Sequence, residues 1–239
     1  MTPAGNENWA EIHDPNASWR KKIVGEISDA FIVPRYVRFF YDHFGADRQA
    51  SFFEIGSGNG DMSRAMLAAN RGQIGRYVVS EYFPEGVDWL KRIGLDAIQA
   101  DAQQLPLPDA SFDVAVEFDV MHHVPDPRKM AREMMRVARG RCLLTESNGL
   151  SIFRKLKELT PGHRAAGERS FTPRRWRGFF YGHPGYRVTR FDIFPFLFPF
   201  KVPSPLLPLL VKWNYLAEKV PIFRWQCSSV AIYLEYERV

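Results

Sequence analysis

The sequence contains few cysteines and no secretory signal. Its 239 residues include two cysteines, Cys142 and Cys227, which are too few for a disulfide framework. Each lies in an apolar stretch, which predicts a buried small side chain rather than a reactive thiol. The first 16 residues are polar and lack an apolar signal core. We therefore expect a cytoplasmic protein.

The sequence also lacks a long apolar run that is free of proline. Its most apolar stretch, residues 191–211, contains five prolines together with Asp192 and Lys201. A membrane-spanning helix needs about 20 mostly apolar residues whose backbone groups are all hydrogen-bonded. Five closely spaced prolines argue against such a helix. The expected protein is soluble, or contacts a membrane only at its surface.

Positive charge is concentrated in one part of the chain. The net charge is +5, but residues 151–190 hold ten Lys or Arg and two Glu, a local charge of +8, so the remainder is slightly acidic. A general nucleic-acid binder would be basic throughout, and no stable nucleic-acid partner is expected. The basic segment indicates an acidic substrate, an acidic surface such as a membrane, or simply a solvated face.

Apolar strands alternate with helices in the middle of the chain. The strands are predicted at residues 51–55, 77–80, 97–100, 112–118 and 141–146, and the helices at 62–70, 84–92 and 128–137. Strands buried on both faces are continuously apolar, as these are. The pattern predicts an α/β fold: a doubly wound, Rossmann-like, seven-stranded and mostly parallel sheet with helices on both faces.

The flanking segments complete this fold. Residues 17–44 predict helices divided at Pro34, and later helices are predicted at 151–159, 174–181 (capped by Thr172) and 209–219. Strands at 186–194 and 228–237 are expected to pair antiparallel at one sheet edge. We predict one structural domain with three parts: a helical cap (1–48), a cofactor-binding core (49–148) and a C-terminal part (149–239) with a basic, proline-rich substrate-binding insertion.

A glycine-rich loop follows the first predicted strand. Gly56, Gly58 and Gly60 stand at alternate positions, where glycine permits positive φ angles and close approach of the backbone to a ligand. Glu81 ends the second strand, 21 residues after Gly60, where an acid can accept hydrogen bonds from both ribose hydroxyls of a nucleoside. The glycine spacing departs from the dinucleotide fingerprint, and Glu54 would repel phosphate. The loop predicts a nucleoside that has no pyrophosphate.

Two further stretches extend this motif into a family resemblance. The Glu-x-Gly-x-Gly-x-Gly loop resembles motif I of class I S-adenosylmethionine-dependent methyltransferases. Residues 100–113 resemble the ubiquinone-biosynthesis-like (methyltransferase type 11) branch and depart from it only at Leu107, where Phe is more usual. Residues 121–127, Met-His-His-Val-Pro-Asp-Pro, are similar to the loop after strand four of that branch. The resemblance covers roughly residues 50–148.

The resemblance implies S-adenosyl-L-methionine as the cofactor and assigns roles to individual positions. Asp101 would accept from the adenine amino group beside the backbone of Ala102, and Tyr82 would pack on adenine, while Glu81 holds the ribose. Glu117 and Phe118 would lie next to the reacting methyl group. The residues expected around the methionine portion are Glu54, Gly56, Ser57, Gly58 and Gly60.

Two histidines are candidates for catalysis. A hydroxyl nucleophile benefits from a general base, and histidine titrates near the working pH. His122 and His123 fall in the loop that faces the methyl group, and His123 is slightly favoured as the base. The alternative is that one or both imidazoles only brace the loop. No metal is expected, since adjacent histidines point apart and no third ligand is evident.

The acceptor is least determined by the sequence. Tyr36 and Tyr41 could form a lid over the cofactor or could be core aromatics. Arg164 and Arg169, beside the apolar proline-rich segment, predict an amphipathic acceptor with an acidic head and an apolar body; a solvated basic helix is the alternative. Oxygen is favoured as the acceptor atom, with carbon or nitrogen as alternatives. An RNA methyltransferase and a non-catalytic cofactor-binding protein are disfavoured. The expected state is a monomer or homodimer.

Overall fold

The computed structural model describes residues 33–44, 49–69, 74–160, 169–196 and 204–239. These residues form a seven-stranded sheet in the order β3-β2-β1-β4-β5-β7-β6. The strands are β1 (Ala50–Ile55), β2 (Ile74–Glu81), β3 (Asp96–Gln99), β4 (Phe112–Phe118), β5 (Ala138–Ser147), β6 (Tyr186–Phe196) and β7 (Ser229–Arg238). Strands β1 to β5 pair in parallel. The predicted doubly wound α/β fold is confirmed.

Eight α-helices lie in the described part of the chain. They are α1 (Val33–Phe44), α2 (Asp61–Ala69), α3 (Pro84–Arg92), α4 (Pro127–Val137), α5 (Ile152–Glu158), α6 (Pro173–Phe180), α7 (Leu207–Lys219) and α8 (Pro221–Arg224). Pro34 lies in the first turn of α1, where a missing N–H costs no helical hydrogen bond. It therefore starts this helix; the residues predicted to be helical before it lie outside the described ones.

The side chains of the central strands enter two hydrophobic cores, one on each face of the sheet. Alternate side chains of a strand point to opposite faces of the sheet. Phe53 and Ile55 therefore pack in one cluster with α4, whereas Phe52 packs in the other with α1 and α3. All of these side chains are buried. This double burial holds the carboxyl ends of β1 and β4 side by side.

The last two strands pair antiparallel, as the sequence predicts. The structure adds that β7 lies between β5 and β6, so the antiparallel strand is one position in from the edge. The physical reason is apolar burial. Residues 230–234 of β7 are buried on both faces, whereas β6 alternates exposed and partly buried residues in its first half and tolerates the edge.

Two further sequence predictions have definite outcomes. Thr172 occupies the position before α6, but its side chain makes no capping hydrogen bond, so that part of the prediction is wrong; Pro173 supplies the helix start instead. Cys142 and Cys227 are both buried and unpaired, as predicted. None of the helices in the described residues combines the length and apolar character needed to cross a membrane.

Candidate functional site at the carboxyl edge of the sheet

The glycine-rich loop joins β1 to α2 at the carboxyl edge of the sheet. Gly56 has a φ of +69° and Gly58 a φ of +57°, values that L-residues with a side chain rarely adopt. A Cβ atom at Gly56 would lie 2.7 Å from a methyl carbon of Val120, in the loop after β4. Gly56 is therefore required both by its backbone angle and by the close approach of that second loop.

Gly60 serves a different purpose from Gly56. A Cβ atom there would lie 2.8 Å from side-chain carbons of Leu90 and Ile93, at the end of α3. The missing side chain thus lets the start of α2 pack against α3. The Trp89 indole N–H also donates to the Asn59 carbonyl at 3.0 Å and ties the loop to α3. Gly60 and Trp89 thus hold the loop against α3.

Glu54 lies beneath the loop. Its side chain is buried, and one carboxyl oxygen accepts a 2.6 Å hydrogen bond from the Tyr77 hydroxyl. Burial raises the pKa of Glu54 to about 7, although hydrogen bonds from Tyr77, Ser63 and Ser57 oppose the shift. Ser57 is buried as well, with its hydroxyl 2.5 Å from that of Ser63. This placement favours support of the loop over direct contact of Glu54 with a ligand.

Glu81 faces the loop from the end of β2. One carboxyl oxygen accepts from the Gly58 N–H at 3.0 Å, and the other accepts from the Tyr82 N–H at 2.8 Å. Burial raises the pKa of Glu81, and these backbone hydrogen bonds oppose the shift. The Phe83 N–H reaches the same oxygen as the Tyr82 N–H, at 3.4 Å, whereas the oxygen bonded to Gly58 has one donor and keeps a lone pair for a hydroxyl.

A cavity of about 430 Å³ opens beside Glu81, between the ends of β2 and β3. Tyr82 and Asp101 stand on its wall, and 43% of the Tyr82 surface is exposed. Asp101 is held at the rim because its Oδ1 accepts from the Gln103 N–H at 2.8 Å. Ala102 packs against the core behind the cavity. A flat aromatic base would find an aromatic face and a carboxylate acceptor there.

Acidic side chains gather beyond the ends of β4 and β5. We refer to Glu117, Asp119 and Glu146, together with His122 and Tyr36, as the acid cluster. The Glu117 side chain is buried, and its Oε2 accepts from the Val120 N–H at 2.7 Å, while no described residue donates a hydrogen bond to its Oε1. Burial and the nearby Glu146 raise the pKa of Glu117 well above its usual value. The surroundings of Glu117 therefore favour its neutral form.

The two candidate histidines have different surroundings. His122 is buried, its Nδ1 lies 2.7 Å from Glu146 Oε2, and its backbone N–H donates to Glu146 Oε1 at 3.1 Å. His123 is exposed and its ring lies 4.0 Å from that of His122. Glu146 thus fixes the ring and the backbone of His122, while only His123 presents its ring to the surface.

Asp119 is a member of the acid cluster that the sequence did not indicate as a site residue. It adopts a φ of +58°, and its Oδ2 accepts a 2.8 Å hydrogen bond from the Tyr36 hydroxyl of α1. Burial and Glu146 raise its pKa to about 6. Glu146 was also missed, although an acid at the end of β5 occupies the same kind of position as Glu81 and could have been noted.

The predicted acceptor-binding residues are not brought together. Tyr36 is buried and stacks on Phe118, with ring centroids 5.8 Å apart, so it is a wall of the site and not a mobile lid. Tyr41 is 48% exposed on α1. Arg169 donates to the Val124 carbonyl at 2.7 Å and so braces the histidine loop. Arg164 lies outside the described residues.

Comparison with known proteins agrees with this geometry. Residues 53–144 match the family profile described as a methyltransferase domain. Over 53 residues the chain is 47% identical to a probable S-adenosylmethionine-dependent methyltransferase of Mycobacterium tuberculosis, covering 22% of this chain and 19% of that protein. Over 120 residues it is 32% identical to the ubiquinone/menaquinone biosynthesis C-methyltransferase UbiE of Enterobacter sp., covering 46% of this chain and 47% of that protein. The chain thus spans less than half the length of either relative.

The fold has solved counterparts. A chain in the complex between the Haloferax volcanii Trm112 methyltransferase activator and its putative methyltransferase superimposes with a TM-score of 0.67 at 15% identity, covering 97% of this chain and 99% of that one. At this identity the likeness concerns the fold. The profile match of residues 53–144 and the similarity to a probable S-adenosylmethionine-dependent methyltransferase confirm the methyltransferase resemblance and support S-adenosylmethionine as the cofactor of this domain.

The residues present fit that cofactor. The glycine loop leaves room where a Cβ atom would clash, and Glu81 carries a carboxylate at the strand end beside it. The cavity next to Glu81 offers Tyr82 and Asp101 for a base. The glycine loop, Glu81 and this cavity lie together at the carboxyl edge of the sheet.

Proposed function

We propose that this chain, which carries an S-adenosylmethionine-dependent methyltransferase domain in residues 53–144, transfers a methyl group to a small or amphipathic acceptor. The observation that carries the proposal is the hydrogen bond between Glu81 and the Gly58 N–H. It joins the strand-end acid to the glycine loop beside a cavity for the base, which is the arrangement that an adenosyl ligand requires.

The chain's own residues would hold, orient and shield the reactants. Bound S-adenosylmethionine supplies an activated methyl group with its own leaving group. Glu81 would bind the ribose, Asp101 and Tyr82 the adenine, and the loop at Gly56 and Gly58 the methionine portion. Phe118 and Tyr36 would exclude water from the methyl group, since their stacked rings close one side of the site.

We favour an oxygen nucleophile, with carbon and nitrogen as alternatives. A hydroxyl needs a group that takes its proton in the transition state, and titratable groups are gathered where β4 and β5 end. The sequence predicts His123, or alternatively His122, as the group that takes this proton. The carbon alternative has support from the similarity to a quinone-biosynthesis C-methyltransferase over 120 residues.

Calorimetry and a labelled methyl-transfer assay test the proposal. We expect S-adenosylhomocysteine to bind the purified chain with one site, and NAD to give no heat of binding. Transfer from methyl-labelled S-adenosylmethionine would then be measured on a panel of long-chain alkylphenols, alkylanilines and fatty acids. Binding of NAD without binding of S-adenosylhomocysteine would overturn the assignment, and the labelled class of acceptor would identify the acceptor atom.

An exposed apolar surface supports an amphipathic acceptor. On α7, Leu209, Trp213 and Leu216 follow helical spacing and are 65%, 39% and 54% exposed. The Trp213 ring lies 6.2 Å from that of Phe223. Residues 150–159 add five more exposed apolar side chains, and Ser151 is tied to the Gln226 carbonyl at 2.9 Å. We refer to the exposed apolar side chains of residues 150–159, α7 and α8 as the apolar face. Its members are Leu150, Ile152, Phe153, Leu156, Leu159, Leu209, Trp213, Leu216 and Phe223.

Positive charge surrounds the apolar face. Lys155 and Lys157 are exposed on α5, and Lys212 and Lys219 are exposed on α7. Apolar side chains with basic neighbours suit the boundary of an anionic bilayer, where the apolar groups enter the lipid and the lysines meet the head groups. We therefore propose that the apolar face contacts a membrane surface, from which a lipid-like acceptor would be reached.

Vesicle sedimentation tests this contact. We expect the chain to sediment with vesicles of phosphatidylglycerol and phosphatidylcholine, and to stay in solution with phosphatidylcholine alone. Trp213→Glu should reduce the bound fraction at least severalfold, because a carboxylate replaces an apolar ring in an anionic surface. Val239→Glu is the matched control, since Val239 is also exposed but follows the carboxyl end of β7, whereas α8 precedes the amino end of that strand. Equal losses in both variants, or a dimer that only Trp213→Glu dissociates, would overturn the membrane assignment.

A further inference from the structure

We propose that Asp119, held by Tyr36, is the subsite for the proton-bearing group of the acceptor, and that its free carboxyl oxygen takes the acceptor's proton. The inference rests on the proposed function, because it places this group at the point where the acceptor meets the methyl group. It assigns the acceptor a chemical class: a nucleophile that has both a lone pair and a proton to lose, such as a hydroxyl or a neutral amine.

The position of Asp119 is the first support. Asp119 immediately follows β4 and precedes Val120, whose methyl carbons fill the space against Gly56 in the glycine loop. On its other side stands Tyr36 of α1. Asp119 therefore lies between the loop expected to hold the methionine portion and the helix that covers it.

The hydrogen bonding of Asp119 is the second support. Its Oδ2 accepts from the Tyr36 hydroxyl, and no described residue donates a hydrogen bond to its Oδ1. The residue is partly exposed, so a ligand can approach it from the surface of the site. A positive φ at a residue with a side chain is uncommon and costs backbone energy, which is consistent with a functional position.

The charges around Asp119 are the third support. Burial raises the pKa of Asp119 only to about 6, so at pH 7.5 Asp119 is ionised and able to accept a proton. Glu146 raises this pKa, while His122, Tyr36 and Arg154 lower it. The groups that face Asp119 from β4, β5, the histidine loop, α1 and α5 thus leave one carboxylate close to its titration point at working pH.

His122 is less suited to this step. Glu146 accepts from its backbone N–H and lies at 2.7 Å from its ring, and the ring is buried. The same contacts suit a bracing role, which orients the loop that carries Asp119. Bound S-adenosylmethionine would supply the methyl carbon, and the electron pair of the broken carbon–sulfur bond would stay on sulfur while a lone pair of the acceptor atom forms the new bond. Asp119 Oδ1 would take the proton of the acceptor atom.

Two cofactor analogues test the inference without knowledge of the acceptor. Sinefungin carries an amine where the transferred methyl group would stand, and S-adenosylhomocysteine has nothing there. Calorimetry at pH 7.5 should show that the chain binds sinefungin at least tenfold more tightly than S-adenosylhomocysteine. Asp119→Asn should reduce this ratio to near one and should leave the affinity for S-adenosylhomocysteine within about twofold. Asp96 is the first residue of β3 and so lies at the amino ends of the parallel strands, away from the site. Asp96→Asn and His123→Ala should therefore keep the wild-type ratio.

The pH dependence and a second variant complete the test. Asp119 is ionised above its pKa of about 6, so the preference for sinefungin should fall between pH 7.5 and pH 5 in the wild type but not in Asp119→Asn. Tyr36→Phe removes a hydrogen bond that lowers this pKa, so it should move the fall to higher pH. A ratio unchanged in Asp119→Asn, or lost in His123→Ala instead, would overturn the inference. Failure of both analogues to bind would overturn the proposed function itself.

Discussion

Glu81→Ala should weaken the binding of S-adenosylhomocysteine by about a hundredfold or more. Hydrogen bonds to a charged group contribute roughly 1.5–3 kcal/mol each, and about 1.4 kcal/mol corresponds to tenfold in affinity. The proposed role gives Glu81 two such bonds to ribose. The substitution also removes the acceptor of the Gly58 N–H and so loosens the glycine loop. Calorimetry with the purified variant measures the loss directly.

The control for Glu81→Ala lies four residues away. Glu85 is exposed in the first turn of α3 and carries the same charge, so Glu85→Ala should leave the affinity within about twofold. Glu81→Gln separates the two contributions, because it keeps the shape and one acceptor oxygen but loses the charge; an intermediate affinity is expected. An affinity for S-adenosylhomocysteine that is unaffected in Glu81→Ala would show that the ribose is held elsewhere.

Gly56→Ala should destabilise the protein by about 2–5 kcal/mol. A Cβ atom at this position would lie 2.7 Å from Val120, and overpacking of this kind costs about 1–3 kcal/mol. The φ of +69° adds about 1–2 kcal/mol for a residue with a side chain. For a chain of this size the melting temperature should fall by roughly 5–15 °C. Thermal unfolding followed by circular dichroism measures this change.

A matched glycine distinguishes the two costs. Gly94 has a φ of +88° but no atom within 4 Å of an added Cβ, so Gly94→Ala should show the backbone cost alone. The double variant Gly56→Ala with Val120→Ala should recover part of the loss by removing the methyl carbons that clash. Equal melting temperatures for Gly56→Ala and Gly94→Ala would show that the two loops are not in contact at Gly56.

The sequence predicts an element of this chain well where the element's own apolar residues reveal that it is buried. Strands such as Phe112–Phe118 are buried on both faces, and the apolar run marks them without any knowledge of their neighbours. The bounds of α3, predicted at residues 84–92, are those of the structure, because Pro84 can start a helix but cannot continue one. The failed cap at Thr172 shows the limit: the residue type was suitable, but the hydroxyl orientation depends on the surrounding packing.

The candidate site also has one part that the sequence predicts and one part that it does not. The glycine loop, Glu81 and Asp101 could be identified from sequence because they follow strands in a fixed order and lie within about 50 residues of one another. The acid cluster could not. The Tyr36–Asp119 hydrogen bond joins residues 83 positions apart, and the His122–Glu146 contact joins residues 24 apart. Whether such side chains meet depends on how α1 and the histidine loop lie over the sheet.

The sequence by itself determined the succession of strands and helices along the chain, because apolar periodicity is a local property. It also contained the motifs that resemble the methyltransferase family, and that resemblance implied the loop that would hold the cofactor. Only the tertiary structure decided the surroundings of the charged groups. It placed Glu54 under the loop, bonded to Tyr77, and left one oxygen of Asp119 open beside the loop. The reason is that a carboxyl group's burial, partners and pKa depend on every element packed around it, and those elements come from distant parts of the chain.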